Sequence, residues 1–287
     1  RPLTLIFFAF VYEFVGENAF IFHLLNILFF SLLCLSIYLL LARLLKSKFP
    51  DYANPISFLA TLLFATHPIH TEVVANVKGL DEIFSLWFSV LAFLCILKSI
   101  DDNKKIWLWT SLPLFALALF SKENAIHYVL LIPIGLIMFR NLKLLDTIKN
   151  IVPILIASIL YISARVAVLG FSLFDAPTRD LMTNPFLKMR GNSLVEATSA
   201  EKLGMIFYTL IKYIGLLIFP HPLTHDYFPK QIPLVSLASG IPLLSLLFYS
   251  LIIFFTIRYF NSKTLISFSL LAYLIPLILI SNLVFNI

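Results

Sequence analysis

The chain has 287 residues, 60% hydrophobic and only 13% charged, with a mean hydropathy of +0.97 and a formal net charge of +6. Such a composition lies outside the range of a water-soluble domain and identifies an integral membrane protein. The surplus of positive charge does not point to nucleic acid, because the basic residues are scattered over short loops with no basic stripe and no interleaved aromatics.

The chain opens on Arg1-Pro2-Leu3 without an initiator Met or a signal-peptide n-region, and closes at Ile287 as an apolar run is ending, so both ends are expected to be cuts in a longer protein. The first apolar segment, Pro2 to Phe14, is too short to span a bilayer and ends at Glu13, Gly16 and Glu17; it is expected to be an interfacial helix on the outer face that turns at Gly16. Crossings are then expected at Ala19 to Leu45, Pro55 to about Ala75, Ile83 to Leu97, Ile106 to Phe120, Ala125 to Phe139, Ile151 to Leu169, Leu237 to Ile257 and Thr264 to Val284. Cys34 and Cys95 fall inside crossings, as small buried hydrophobes and not as a disulfide. Between the crossings Ile151 to Leu169 and Leu237 to Ile257 lies a long connection, 170–236, whose run Leu203 to Phe219 is expected to lie in the interface or dip and return. The whole is taken as one polytopic domain.

Alternating these crossings collects Arg43, Lys46, Lys48, Lys98, Lys104, Lys105, Arg140, Lys143, Lys149, Arg258 and Lys263 on one side, with Asp51, Asp101, Asp102 and Asp146. That side carries roughly +7 against about −1 on the other, which makes it cytoplasmic. The uncommon polar residues then converge on the non-cytoplasmic side. Thr66 to Glu82 contributes His67, His70, Glu72, Asn76, Lys78, Asp81 and Glu82; the next outer turn contributes Lys122, Glu123 and Asn124. The long connection adds Asp175, Arg179, Asp180, Asn184, Lys188, Arg190, His221 and Asp226. Ionisable groups at membrane depth are costly, so they pair, line a wet cavity or do chemistry.

Glu72 or Asp81 has the chemistry of a general base or of a ligand for a divalent cation, Mg or Mn. His67 and His70 share a helix face only if the helix persists through Pro68, and a His-x-x-His pair still needs a further ligand to hold a metal. Lys78, Lys122 and Arg165 suit the phosphate of an anionic lipid-linked substrate. Plainer readings stand beside these: an interfacial Lys122–Glu123 ion pair, a kink at Pro68 with the two histidines capping it, and a solvated loop at Arg179-Asp180.

The stretch H-P-I-H-T-E-V-V-A-N-V-K-G-L-D-E, followed by an apolar span and S-K-E-N, resembles signatures of the transmembrane and tetratricopeptide-repeat-containing O-mannosyltransferases and their prokaryotic relatives. Arg1-Pro2-Leu3-Thr4, Phe22-His23-Leu24-Leu25-Asn26, the Tyr161 to Gly170 segment with Arg165, and Asn184-Pro185 leading to Leu217 through Asp226 match in family order. The resemblance implies the C-type glycosyltransferase superfamily: an all-α polytopic membrane helix bundle with a juxtamembrane helix and a long non-cytoplasmic loop. It implies transfer of a mannose-like sugar from a polyprenyl-phosphate donor to a protein hydroxyl or glycan acceptor, on the periplasmic or lumenal face of a bacterial inner membrane or the endoplasmic reticulum. Catalytic roles are expected for Glu72, Asp81, His67 and His70, and phosphate binding for Lys78, Lys122 and Arg165. Glu123, Asn76, His221 and Asp226 support them. The acidic loop that supplies the base in that family would precede Arg1, so the chain alone is expected to be inactive. Leu80 stands where relatives often carry Arg. The competing readings are a secondary transporter or flippase for a lipid-linked or anionic solute, and a scaffold that only anchors partners.

Overall fold

The computed structural model describes residues 1–170, 184–191, 193–224, 227 and 231–283, and divides into two compact units, Arg1–Gly170 and Phe171–Ile287. Among the described residues the architecture is helical, as the composition demands, because helices satisfy their own backbone polar groups where no water is present. Among the described residues five helices are long and apolar enough to cross a membrane, or six if one bent pair counts as a single span.

The first unit holds α1 (Pro2–Val15), α2 (Ala19–Leu45), α3 (Ala53–Thr66), α4 (Thr71–Ala75), α5 (Leu80–Asp102), α6 (Lys105–Ser121), α7 (Tyr128–Arg140) and α8 (Leu144–Leu169). α1 starts on Pro2, where a missing N–H costs nothing, and stops at Gly16, whose φ of 59° a side-chain-bearing residue adopts poorly. Phe7 fixes it, standing edge-on to Phe29 at 5.6 Å and Phe84 at 5.2 Å. Its opposite face leaves Leu5, Ile6, Phe10 and Phe14 exposed, as an interfacial helix would.

α5 is the centre of this unit. Its sequence sets small residues, Ser85, Ser89 and Ala92, among large buried ones, Phe84, Phe93, Ile96 and Leu97, so neighbouring backbones approach closely. α2 and α6 flank it, and α6 in turn packs on α8. The buried positions of α2, Asn26, Leu33, Ser36, Leu40 and Leu44, recur at helical spacing on one face, and the Trp87 indole donates to the Ser36 hydroxyl at 3.0 Å.

The bundle alternates. Asn26 near the start of α2 reaches the Val74 and Asn76 carbonyls, while Arg43 near its end meets Asp101 at the end of α5. Lys122 after α6 meets Glu82 at the start of α5, and Arg140 closing α7 returns to Asp101. From Asp81 to Asp101 the twenty helical steps of α5 span about 30 Å, the thickness of a hydrocarbon core. One end of the unit is thus marked by Asp81 and Glu82, the other by Asp101 and Asp102.

The crossing expected from Pro55 to Ala75 is broken. α3 ends at Thr66, a 3-10 turn covers Pro68–His70, and the chain bends by 50° before α4. The cause is Pro68, which supplies no N–H and disfavours helical backbone at His67. α6 at 17 residues and α11 (Leu265–Ile280) at 16 are apolar but short.

The second unit contains a hairpin, β1 (Leu187–Arg190) with β2 (Ser193–Glu196), then α9 (Ser199–Ile218), α10 (Gly240–Phe260) and α11. The hairpin lies where a loop was expected. Its signal was legible in Gly191 followed by Asn between two four-residue runs, a favoured two-residue connection. α9 covers the run from Leu203 to Ile218, with Phe219 as its C-cap; it is not among the helices apolar enough to cross, since it carries Glu201, Lys202 and Lys212. Its Ile206 and Leu210 are buried with Tyr249 of α10 and Leu277 of α11, and the Tyr249 hydroxyl donates to the Leu210 carbonyl at 3.0 Å.

Candidate functional site

Asp81 and Glu82 occupy the first turn of α5, where the helix dipole favours negative charge. Each is met by a cation from elsewhere in the first unit: Asp81 by the Arg1 guanidinium, Glu82 by the Lys122 ammonium. The Asp81 side chain is 5% exposed and that of Arg1 37%, so the pair is anchored in the protein on the carboxylate side and half-open to solvent on the other. Lys122, expected on a lipid phosphate or beside Glu123, is therefore committed to Glu82. Glu123 is exposed and opens the 3-10 turn Glu123–His127.

Asn26 of α2, fully buried, donates through Nδ2 to the Val74 carbonyl at 3.3 Å and the Asn76 carbonyl at 2.8 Å. The Asn76 side chain accepts from the Lys78 amide at 3.1 Å and starts the 3-10 turn Val77–Gly79. Gly79 is required there, because a Cβ would run into the Val73 backbone carbonyl. The loop that carries Glu72 and Lys78 is thus held from below by α2 and from within by its own caps.

His67 and His70 do not share a helix face. The His67 ring accepts from the Ile69 amide at 3.2 Å, capping the turn at Pro68, while the His70 ring packs on Phe64 at 4.3 Å. The condition set by sequence, a helix running through Pro68, is not met, and the two rings stand 6.2 Å apart. Among the described residues no group of three or more His, Cys, Asp or Glu is placed to hold a metal ion, so the expected divalent cation finds no ready-made set of protein donors there.

Glu72 and Lys78 are exposed, and no carboxylate among the described residues pairs with Lys78 or Arg165. Arg165 lies one turn beyond Tyr161, whose ring meets Phe120 at 5.5 Å, which puts it at the Lys122 end of α8. Leu80 is fully buried, so no charged side chain is missed at its place. His221 belongs to the second unit, exposed, with its ring 6.2 Å from that of Phe219. Asp226, Asp175, Arg179 and Asp180 lie outside the described residues. Arg1, Asn26 and Glu82 are not among the expected site residues; Arg1 and Asn26 stand in stretches that carry the resemblance, Glu82 in the polar cluster Thr66 to Glu82.

A family model described as dolichyl-phosphate-mannose-protein mannosyltransferase matches residues 2–170. The chain belongs to this family. The match covers the compact first unit from Pro2 onward, including the Lys122–Glu82 pair and Asp81. Among curated relatives, the protein O-mannosyl-transferase TMTC3 of Homo sapiens is 39% identical over 132 residues, covering 45% of this chain and 14% of that protein. TMTC3 of Mus musculus is 29% identical over 261 residues, 82% of this chain and 26% of the relative. The protein O-mannosyl-transferase F38B6.6 of Caenorhabditis elegans is 26% identical over 290 residues, covering all of this chain and 38% of its own length. The chain thus spans well under half of the length of these relatives. No solved structure matches it.

Proposed function

We propose that this chain forms part of a membrane glycosyltransferase that moves a mannose-like sugar from a polyprenyl-phosphate donor to a protein hydroxyl or a glycan, at the Asp81 end of the first unit. The observation that carries the proposal is the pairing of Asp81 with Arg1 and of Glu82 with Lys122, both carboxylates lying in the segment that places the chain in its family. These pairs hold the wall of the site, and Lys78 and Arg165, with which no carboxylate among the described residues pairs, take the donor phosphate.

In the reaction the acceptor oxygen attacks the anomeric carbon as the bond from that carbon to the phosphate oxygen breaks. The acceptor proton passes to a carboxylate, and the polyprenyl phosphate leaves with the bonding pair. We assign the base to an acidic residue ahead of Arg1, with Glu72 and Asp81 in support. Lys78 and Arg165 stabilise the charge that grows on the departing phosphate, where a fixed cation contributes most. Lys122 acts by positioning Glu82. The basic excess at the other end supports a periplasmic or lumenal active face.

Transfer from a polyprenyl-phosphate sugar to an acceptor, measured in membranes with the full-length protein, tests this. Glu72→Ala and Lys122→Ala are each expected to lower the rate by about 100-fold or more, with unchanged expression. Wild-type transfer in both would sink the assignment. Transport of a lipid-linked solute in proteoliposomes without glycosyl transfer would favour a flippase instead.

A further inference from the structure

At the end of the first unit opposite the Asp81 and Glu82 pairs, α2 and α5 border an open cavity of about 920 Å³. Its volume falls within the range of small-molecule sites. The two helices line it in the same order. On α2, Leu39, Ala42, Arg43 and Lys46 follow one another at helical spacing; on α5, Leu91, Leu94, Cys95 and Lys98 do the same. Each stripe is apolar toward the middle of the bundle and cationic at its mouth, over a depth of about 10 Å.

The charge at the mouth is not self-cancelling. Four cations, Arg43, Lys46, Lys98 and Arg140, face two carboxylates, Asp101 and Asp102. The carboxylates are taken by the arginines: Arg43 reaches Asp101 at 2.8 Å and Asp102 at 2.6 Å, and Arg140 reaches Asp101 at 2.7 Å while also donating to the Arg43 carbonyl at 2.9 Å. Lys46 and Lys98 remain, and no carboxylate among the described residues pairs with either. Lys98 is fixed over the Trp107 ring, 3.4 Å from its centroid, a contact that orients the ammonium without neutralising it.

We infer that this cavity binds an anionic phospholipid, its phosphate between Lys46 and Lys98 and the start of an acyl chain along Leu39, Leu91 and Leu94. Charge bias across a membrane accounts for basic residues at this end; it does not account for two helices presenting matched apolar-to-cationic stripes to one hollow. The apolar walls distinguish a lipid from a soluble phosphate, which has no use for them. The site is separate from the proposed transfer site by the length of α5, so either reading stands without the other.

Native mass spectrometry of the full chain, extracted from nanodiscs of phosphatidylcholine containing phosphatidylglycerol, tests the inference. Phosphatidylglycerol should remain bound in preference to phosphatidylcholine. Lys46→Gln with Lys98→Gln should weaken its retention about 30-fold, whereas Lys149→Gln, an exposed lysine of α8 outside the cavity, should not. Equal retention of the two lipids, unchanged retention in the double variant, or displacement of the lipid by millimolar inorganic phosphate would each overturn it. Should the double variant fail to fold, Lys46→Glu, at an exposed position, must still weaken phosphatidylglycerol retention by about tenfold or more.

Discussion

Asp81 and Glu82 are adjacent in sequence, yet their cations come from positions 80 and 40 residues away in the chain. Neither pairing can be read from spacing, because the partners meet only when α1 lies against α5 and α6 returns beside it. Residue types were the legible part: a cluster of carboxylates, histidines and lysine in an apolar chain needed partners, and most of them have one. His67 shows the limit. Its type suited a metal or a proton relay, but the backbone break at Pro68 turned it into a cap. The buried carboxylate of Asp81 makes a direct prediction. Asp81→Asn leaves Arg1 without its anion; a charge-assisted bond contributes about 1.5–3 kcal/mol when buried, reduced toward about 1 by the solvent at Arg1. Thermal unfolding in detergent should therefore shift down by about 2–4 °C. Lys149→Gln, which removes an exposed pair with Asp146, should shift nothing measurable. Equal effects in the two variants would mean that the Arg1–Asp81 contact is solvated and stabilises little.

At the scale of elements, the long apolar runs behave as expected, since a bilayer rewards any segment that satisfies its own backbone. α2 coincides with its expected limits, Ala19 and Leu45. The hairpin was not anticipated, because four-residue runs are too short for periodicity to outweigh a loop reading. Its attachment to α9 is electrostatic. Lys188 of β1 donates to both Glu201 oxygens, at 2.6 and 2.7 Å, and Thr198 and Glu201 form a capping box. The Lys188 ammonium, followed by the Thr198 amide and hydroxyl, holds the Glu201 carboxyl down to about 2 from its ordinary 4.5. A depressed carboxyl pKa stabilises the folded form above the unfolded value, and that contribution is lost as pH falls through the folded one. Hydrogen-exchange protection of the hairpin strands, corrected for intrinsic rates, should hold at pH 5 and decline between about pH 4.5 and 2. In Lys188→Met the decline should be smaller and should be complete nearer pH 4.5. A pH-independent hairpin would show that the cap does not carry its order.

For the molecule as a whole, the alternation of α2, the α3–α4 pair, α5, α6, α7 and α8 delivers Arg43, Lys98, Lys104, Arg140 and Lys143 to one end of the first unit, and Glu13, Glu17, Glu72, Asp81 and Glu82 to the other. That separation makes orientation testable. With Cys34 and Cys95 replaced by Ala, a membrane-impermeant maleimide should label Glu13→Cys from the non-cytoplasmic side of sealed vesicles. Lys149→Cys should react only after permeabilisation. Labelling of both from one side would contradict the alternation.

Hydropathy, charge bias and ordered motifs are properties of the chain as written, and from them follow a multi-pass membrane protein, the course of most of its helices, the basic end and the family it resembles. That Lys122 belongs to Glu82, that Arg1 belongs to Asp81, that Asn26 props the Glu72 loop, and that α2 and α5 leave a cationic hollow between their far ends became visible in the fold alone. Those are contacts between segments tens of residues apart. They follow from which helix faces turn toward each other, and that choice is made by packing small residues against large ones along α5, which no local pattern encodes.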